Sequence, residues 1–453
     1  MLRSVVFGST MIVFLGTATF AAEPLRIATF QVEITPPLGS PLCEGFVPPA
    51  RTIDDPLLAR GVVLLTDDEP IVLCALDWVG MANRGYDVYR EAIAKAAGTR
   101  ASRVGLHCLH QHDAPGCDYS ANELLVKQGV EEALFNTAFA REAQERIAAA
   151  IAKAVEQPRP VTHVSFGKAK VEQVASTRRV MGTDGKVKHI RWTAIADPAV
   201  RAEPEGTIDP FVHLVGFWNG ETPVASLTYY ATHPQSHYGK GAVSCDFPGL
   251  ARGLRDKELP GVFHIHFNGA GGNVTAGKYN DGSPENRPVL AGRLAAGMKS
   301  AWETAEKHAI NSGDVEWRVQ PAALPPAAHL DDKALRASLA DPQANILTRL
   351  RAAMDLAWLA RCQAGEKIEI SCLRLGPGYL LHLPGELFVE YQLAAQQMRP
   401  KSPVLMAAYG DYGPGYIGLK VSYGQGGYET GPVSRVAPEV EDALMTAMRE
   451  LLR

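Results

Sequence analysis

Apolar residues recur along the chain with two different periods, which predict alternating strands and helices. The segments RGVVLLTDD and EPIVLCALDW have strand character and predict a hairpin joined at residues 66–69. Residues 85–98, and later AFAREAQERIAAAIAKAVEQ, carry apolar side chains at helical spacing, and Pro158 ends the second of these runs. The alternation predicts an α/β fold, or a mixed α+β fold, with a mixed β-sheet core, flanking helices and an active site at strand ends.

The segment VGLHCLHQHDAPG is the first apolar run that ends in chemically active side chains. A strand over residues 103–112 places His110 and His112 on one face, and His107 on the other. The Asp113–Gly116 stretch cannot continue a strand ladder and predicts a turn that opens the strand end to a cleft. The two imidazoles could both bind zinc, or one could bind metal while the other moves protons; buried structural histidines are the alternative.

Three further strands are predicted to end in a polar side chain. ETPVASLTYYATHPQSH predicts a strand that ends at His233, where Pro234 stops it. YLLHLPGE ends at Glu386, which is either an acid at a helix start or a metal-binding carboxylate. Asp77 follows the strand Ile71–Leu76, where it is either a site residue or a cap. We predict that Asp77 orients a metal-binding imidazole.

A glycine-rich loop follows the strand GVFHIHFN. The run Gly269–Asn273 suggests backbone packed close to a ligand, with amides available to an oxyanion. His264 and His266 lie inside this strand and are predicted to be structural. Arg178 and Arg179 could clamp a polar or anionic substrate, although the sequence around them favours a solvated loop. Five tyrosines and many glycines near the end of the chain predict pocket-lining loops.

Composition narrows the class of protein. Forty-five basic and 49 acidic side chains give a net charge of -4, which disfavours nucleic-acid binding and provides no polybasic membrane patch. Residues 1–22 predict a secretory signal peptide, with a retained membrane anchor as the alternative, so we expect an exported, soluble protein in the periplasm or outside the cell. Seven cysteines without a CxxC pair disfavour cysteine-bound zinc.

Five short motifs in order resemble the catalytic domain of the neutral, non-lysosomal ceramidase family of zinc amidases. They are LHQHDAPG, ATHP, NGAGGNVTAG, LPGELF, and GPGYIG with the later GGYET. The resemblance spans residues 26–429. It implies one catalytic domain over residues 23–453, without the C-terminal β-sandwich domain of full-length ceramidases.

The resemblance also implies a role for each site residue. Zn²⁺ would be held by four ligands, with separate residues for proton transfer and for the oxyanion: His110, His233, Glu386 and Tyr416 as ligands, His112 as the proton carrier, and Tyr416 with Gly271, Gly272 and Asn273 at the oxyanion. Thr275 stands where the family has a serine, as a nucleophile or a substrate contact. The implied activity is hydrolysis of an N-acyl amide by metal-activated water on a small molecule, with lipids among the candidates. The alternatives are a zinc esterase or deacylase acting on a lipid or glycan, and a non-catalytic exported ligand-binding protein.

Overall fold

The computed structural model describes residues 4, 5 and 24–453, so the predicted signal peptide at 1–22 falls outside the described residues except at positions 4 and 5. In the described part of the chain, no helix combines the length and apolar character needed to cross a membrane. The helices are α1 Asn83–Ala97, α2 Tyr119–Val126, α3 Thr137–Ala154, α4 Pro198–Ala202, α5 Asp246–Glu258, α6 Asn286–Glu303, α7 Asp332–Ala340, α8 Ile346–Gln363, α9 Val389–Met398, α10 Lys420–Tyr423 and α11 Val440–Leu451. Short 3-10 turns lie at Cys43–Gly45, Ala101–Arg103 and Ser312–Asp314.

The strands alternate with these helices along the chain. They are β1 Leu25–Glu33, β2 Thr52–Ile53, β3 Leu58–Leu65, β4 Ile71–Leu76, β5 Gly80–Met81, β6 Val104–Cys108, β7 Gly116–Cys117, β8 Arg159–Val161, β9 His163–Lys170, β10 Ser176–Thr177, β11 Arg179–Met181, β12 Val187–Ile190, β13 Phe211–Asn219, β14 Thr222–Tyr230, β15 Ala242–Val243, β16 Phe263–Asn268, β17 Val274–Thr275, β18 Glu306–Ala309, β19 Val315–Ala322, β20 Ile368–Leu375, β21 Gly378–His382, β22 Glu386–Leu387, β23 Val404–Ala407 and β24 Tyr416–Ile417. The predicted mixed α/β fold is confirmed.

Local sequence explains where several of these elements begin and end. The predicted helix at 85–98 is α1, which ends at Gly98 in the left-handed conformation that glycine adopts without strain. The Asn136 side chain caps α3 by accepting a hydrogen bond from the Phe139 amide. The predicted hairpin is β3 paired with β4, and every residue of β4 is buried, as expected for a strand with no polar side chain.

Three larger sheets form the centre of the molecule. Their strand orders are β6-β4-β3-β1-β8, β16-β14-β13-β9-β18 and β19-β20-β21-β23. Each contains an antiparallel hairpin followed by one parallel strand: β3-β4 with β6, β13-β14 with β16, and β20-β21 with β23. In each, a short strand and a helix connect the hairpin to the parallel strand. The three sheets therefore share one connectivity, although the sequence shows no repeat.

The three sheets pack against one another around a common apolar core. It combines side chains from all three, including Leu73 on the first, Phe217 on the second and Leu380 on the third. Helices cover the outer faces: α1 and α3 pack on the first sheet, α5 and α6 on the second, and α9 and α11 on the third. The ends of the central strands consequently meet in the interior of the molecule.

A closed ring of hydrogen bonds joins the three sheets where their parallel strands end. The Asn268 amide donates to His107 Nε2 at 3.0 Å, His107 Nδ1 donates to the Ala408 carbonyl, and the Ala408 amide donates to the Asn268 carbonyl at 3.1 Å. Burial lowers the pKa of His107 well below its usual value, which keeps the imidazole neutral so that it can donate and accept. His107, which the strand alternation separates from His110, thus links the sheets.

The predicted site strands end earlier than their sequence patterns indicate. β6 stops at Cys108 and not at residue 112, and β14 stops at Tyr230 and not at His233. His110 has a φ of 69°, in the left-handed region that ends a strand. The site histidines therefore project from loops, and the expectation that His110 and His112 share a strand face is wrong.

Candidate metal centre

His110 is held rigidly by the loop that follows β6. Its amide donates to the Trp78 carbonyl at 2.9 Å, and its Nδ1 lies 2.6 Å from the Val79 carbonyl oxygen. A carbonyl can only accept, so the Nδ1 must carry the proton and the Nε2 lone pair faces the interior. The left-handed backbone of His110 is the kind of strain that persists where surrounding contacts over-determine it.

His233 is oriented in the same way by the glycine-rich loop after β16. Its amide donates to the Val274 carbonyl at 3.1 Å, and its Nδ1 lies 2.6 Å from the Gly271 carbonyl oxygen. The Nε2 atom of His233 is therefore also an acceptor directed at the interior. Both histidines are almost fully buried, at 1 % and 2 % exposure.

Glu386 brings a carboxylate between the two imidazoles. It lies on β22, which pairs with β24 so that Glu386 stands opposite Tyr416. Its Oε2 is 2.8 Å from His233 Nε2 and 3.2 Å from His110 Nε2, and its Oε1 accepts from the Tyr412 hydroxyl at 2.7 Å.

Three acceptor atoms thus converge in a buried place. The ligand atoms of His110, His233 and Glu386 lie within 4.8 Å of one another, and His110 Nε2 has no hydrogen-bond donor among the described residues. The His110 Nε2 lone pair and the Glu386 carboxylate oxygen, 3.2 Å apart, repel each other unless a cation lies between them, whereas His233 Nε2 also has a donor in Arg178 Nη1 at 3.3 Å. Two imidazoles and one carboxylate form a donor set typical of zinc sites that keep an open position for catalysis. The residues therefore fit a metal ion such as zinc.

Tyr416 and Arg178 complete the edge of this cluster. The Tyr416 hydroxyl is 3.1 Å from His233 Nε2 and accepts a hydrogen bond from Arg178 Nη1 at 2.8 Å. The Arg178 Nε is 3.2 Å from the fully buried carboxylate of Glu429, which anchors the guanidinium. Burial raises the pKa of Tyr416 well above its usual value, opposed by Arg178, so the phenol keeps its proton.

Arg178 is the site residue that sequence reasoning undervalued. The favoured prediction of a solvated loop is wrong, because Arg178 and Arg179 are only 6 % and 5 % exposed and both pair with Glu429. The two adjacent arginines are visible in the sequence. Their burial is not, because it depends on packing against a segment about 250 residues later.

His112 lies beside the cluster and lines a cavity that adjoins it. Its ring contacts the rings of His110 and Tyr238, at centroid distances of 5.2 and 4.7 Å. Burial and then the neighbouring His110 and His233 lower the pKa of His112 well below its usual value. A neutral imidazole at the cavity wall can accept a proton.

The glycine-rich loop positions the site and offers few free donors. The Gly272 amide donates to the Leu387 carbonyl at 2.7 Å, and the Asn273 side chain bonds Glu390 and the Val389 amide. The Gly271 carbonyl orients His233, as described above. Of the expected backbone donors, the Gly272 amide is therefore already occupied, whereas no hydrogen bond from the Gly271 or Asn273 amide is found among the described residues.

Thr275 lies on β17, where its hydroxyl belongs to a backbone network. It donates to the Trp192 carbonyl at 3.3 Å and accepts from the Gly277 amide at 3.3 Å. No hydrogen bond in the described part of the chain joins this hydroxyl to the metal-site residues. The hydroxyl joins backbone groups on either side of the loop, and its catalytic role stays a prediction.

The contacts of Asp77 differ from the prediction that this residue orients a metal-binding imidazole. Its carboxylate forms a two-bond pair with Arg252, at 2.8 and 2.7 Å, and accepts from the Leu58 amide at 2.9 Å. These partners occupy the carboxylate, and the Val79 carbonyl orients His110 in its place. Asp77 is fully buried and joins the end of β4 to α5.

Comparison with known proteins shows which fold this is. No protein family profile matches the sequence, and no curated protein matches it. Among solved structures, a ceramidase complexed with C2 superposes with a TM-score of 0.71 at 15 % identity, over 95 % of this chain and 75 % of that one. The neutral ceramidase from Pseudomonas aeruginosa gives a TM-score of 0.69 at 16 % identity, over 95 % of this chain and 74 % of that one.

The fold and the site together define a class. The chain has a ceramidase-like mixed α/β fold, and it brings two histidines and a glutamate together at the ends of its central strands. The structural likeness spans nearly the whole chain, which extends the resemblance that five short motifs indicated.

Proposed function

We propose that the protein is an exported, zinc-dependent hydrolase that cleaves an N-acyl amide bond in the manner of the neutral ceramidases. The observation that carries the proposal is the convergence of His110 Nε2, His233 Nε2 and Glu386 Oε2. Both imidazoles carry their proton on Nδ1, so the two Nε2 atoms and the carboxylate oxygen can act as metal ligands. The ceramidase-like fold supports the bond type.

His110, His233 and Glu386 would hold the zinc ion. When bound, zinc polarises a carbonyl group and lowers the pKa of a water molecule toward neutrality. The backbone carbonyls that accept hydrogen bonds from the two Nδ1 atoms fix the orientation of the imidazoles. This orientation strengthens the imidazoles as metal ligands. The Tyr412 hydroxyl holds the second oxygen of Glu386 and leaves the first directed at the histidines.

Tyr416 and Arg178 would stabilise the negative charge that develops on the substrate oxygen. Arg178 donates to the Tyr416 oxygen, and with His233 Nε2 committed to an ion the phenolic proton would be available to the substrate. We therefore assign the oxyanion role to Tyr416, supported by Arg178, ahead of the amides of the glycine-rich loop.

His112 would carry the proton. Its imidazole lines the cavity next to the cluster, so it is placed to take a proton from the attacking water and deliver it to the departing amine. In this assignment Thr275 is not required as a nucleophile.

Metal content and turnover of matched variants test the proposal. The purified protein should hold about one zinc ion per chain, and chelator should abolish hydrolysis of N-acyl substrates. His233→Ala should lose both metal and activity, whereas His112→Ala should retain metal and lose about 100-fold or more of kcat. His329→Ala, at an exposed histidine, serves as the control.

Two outcomes would contradict the proposal. A folded, metal-free protein whose activity ignores chelator would exclude the metal role. Ligand binding without turnover of either an amide or the matching ester would favour a non-catalytic binding protein.

Export is part of the proposal and rests on the sequence of residues 1–22. We expect cleavage after Ala21 or Ala22. N-terminal sequencing of protein recovered outside the cytoplasm should begin at residue 22 or 23, and an uncleaved start would contradict this.

A further inference from the structure

A cavity of about 230 Å³ adjoins the proposed metal site. Site residues, including His112, Glu386 and Tyr416, line part of it. Its lining also contains an acid, Glu44, and two arginines, Arg351 and Arg435. A pocket built for a long hydrocarbon chain has no need of charged groups in its wall.

The backbone around Glu44 is strained. Cys43, Glu44 and Gly45 have consecutive φ angles of 46°, 55° and 84°, a region that non-glycine residues adopt only under strain. Neighbouring glycines make the conformation possible: a Cβ at Gly116 would lie 2.7 Å from Glu44 Cγ, and one at Gly45 would lie 2.4 Å from the Ala133 carbonyl oxygen. Surrounding packing thus holds Glu44 in the cavity wall.

The Glu44 carboxyl has no hydrogen-bond partner for its Oε1 atom among the described residues, although the side chain is 95 % buried, at 5 % exposure. Burial raises its pKa to about 7, opposed by Arg435 and reinforced by Asp118. Arg435 is itself committed to Asp355, with which it pairs at 2.7 Å. A buried carboxyl without a partner is costly, so its persistence calls for a ligand that supplies the missing donor.

Arg351 is the matching group on helix α8. This side chain is half-buried, its guanidinium lies over the Phe46 ring at 5.6 Å, and no hydrogen bond or ion pair to it is found in the described part of the chain. The buried arginines nearby, Arg178 and Arg435, are both paired with carboxylates. A stacked guanidinium with free N–H groups is a preorganised site for a carboxylate or phosphate.

We propose that this cavity is a specificity subsite in which Arg351 binds an anionic group of the substrate and Glu44 accepts a hydrogen bond from an N–H or O–H group. The inference rests on the proposed hydrolase function and names its substrate class: compact amides that carry a carboxylate or phosphate. It distinguishes this protein from an enzyme selective for uncharged lipid amides.

Steady-state kinetics on three small amides test the subsite. The substrates are N-acetylglycine, N-acetyl-O-phosphoethanolamine and the uncharged N-acetylethanolamine. All three contain the amide N–H group as a hydrogen-bond donor. Arg351→Met should raise KM about 10- to 100-fold for the two anionic substrates and less than about twofold for the neutral one. The anion with the larger Arg351 dependence identifies the natural group.

Two further variants separate the contributions of the two side chains. Glu44→Met should raise KM about equally for all three substrates, because it removes the acceptor they share. Arg84→Met, which removes an arginine that is 62 % exposed and remote from the cavity, should leave every KM unchanged. Equal effects of Arg351→Met on charged and neutral substrates would overturn the subsite and leave the hydrolase function standing.

A binding measurement distinguishes failure of the subsite from failure of the hydrolase. Calorimetric titration of N-acetylglycine into the metal-loaded His112→Ala protein should show binding that Arg351→Met abolishes. If the wild type hydrolyses none of the amides but this binding is observed, the hydrolase proposal fails and the subsite stands. If neither N-acetylglycine nor N-acetyl-O-phosphoethanolamine binds or is hydrolysed, the subsite is overturned.

Discussion

Replacing His107 with leucine would remove two of the three hydrogen bonds in the ring that joins the central sheets, while keeping a side chain of similar size. The imidazole accepts from the Asn268 amide and donates to the Ala408 carbonyl. Leucine can do neither. Because His107 is only 1 % exposed, we expect no water molecule to replace its nitrogens without local opening.

The cost follows from the two backbone groups that lose their partners. A buried donor or acceptor left unsatisfied costs about 1–3 kcal/mol, so two cost about 2–6 kcal/mol. Domains of ordinary stability unfold with about 5–15 kcal/mol, so the variant should lose a large fraction of its stability.

His382→Leu is the matched control. His382 is also buried, at 7 % exposure, and neither of its ring nitrogens has a partner among the described residues. Replacing it leaves no new unsatisfied group, so the free energy of unfolding should change by less than about 1 kcal/mol or increase. Both variants should be unfolded in urea with excess chelator, because metal binding to the native state would otherwise add to stability. Equal destabilisation of the two variants would refute the role of the ring.

Three further predictions concern groups whose roles the structure defines. Burial raises the pKa of Glu44 to about 7 from 4.5, so its contribution favours folding at low pH and is lost as pH rises from about 5 to 8. Glu44→Gln should remove up to about 3 kcal/mol of that pH dependence in unfolding titrations, and an unchanged profile would contradict it. Asp77→Ala should cost about 3–5 kcal/mol because it leaves the Arg252 guanidinium buried and unpaired, with metal content unchanged by elemental analysis. Loss of metal in this variant would instead support the prediction that Asp77 orients a metal-binding imidazole. Thr275→Val should retain kcat within about threefold and lose about 1 kcal/mol of stability, whereas loss of activity would identify its hydroxyl as a nucleophile.

Sequence patterns indicated the residues of the candidate metal centre because each follows an apolar strand and lies near a strand-breaking residue. His233 before Pro234 and Glu386 after Gly385 carried this signal, and both reach the cluster in the structure. The mixed α/β fold was predictable for the same reason. Helix ends such as Gly98 are local, so they too were readable.

The remaining features depend on contacts between distant segments. Asp77 and Arg252 are separated by 175 residues, so no local pattern showed that their pairing would remove Asp77 from the site. His110 and Glu44 both have a left-handed backbone, which sequence reasoning predicts mainly at glycine, so it was not predictable at these residues. The extent of domain 23–453, the export signal and the identity of the ion stay predictions.

The common connectivity of the three sheets has a consequence for the order of events during folding. His110 follows a strand of the first sheet, His233 a strand of the second and Glu386 a strand of the third, and the last two are separated by 153 residues. A chain that has completed two sheets offers two imidazoles but no carboxylate. If these residues hold an ion as proposed, the full set of ligands exists only after the third sheet has docked. Binding of the ion would then require that all three sheets have assembled.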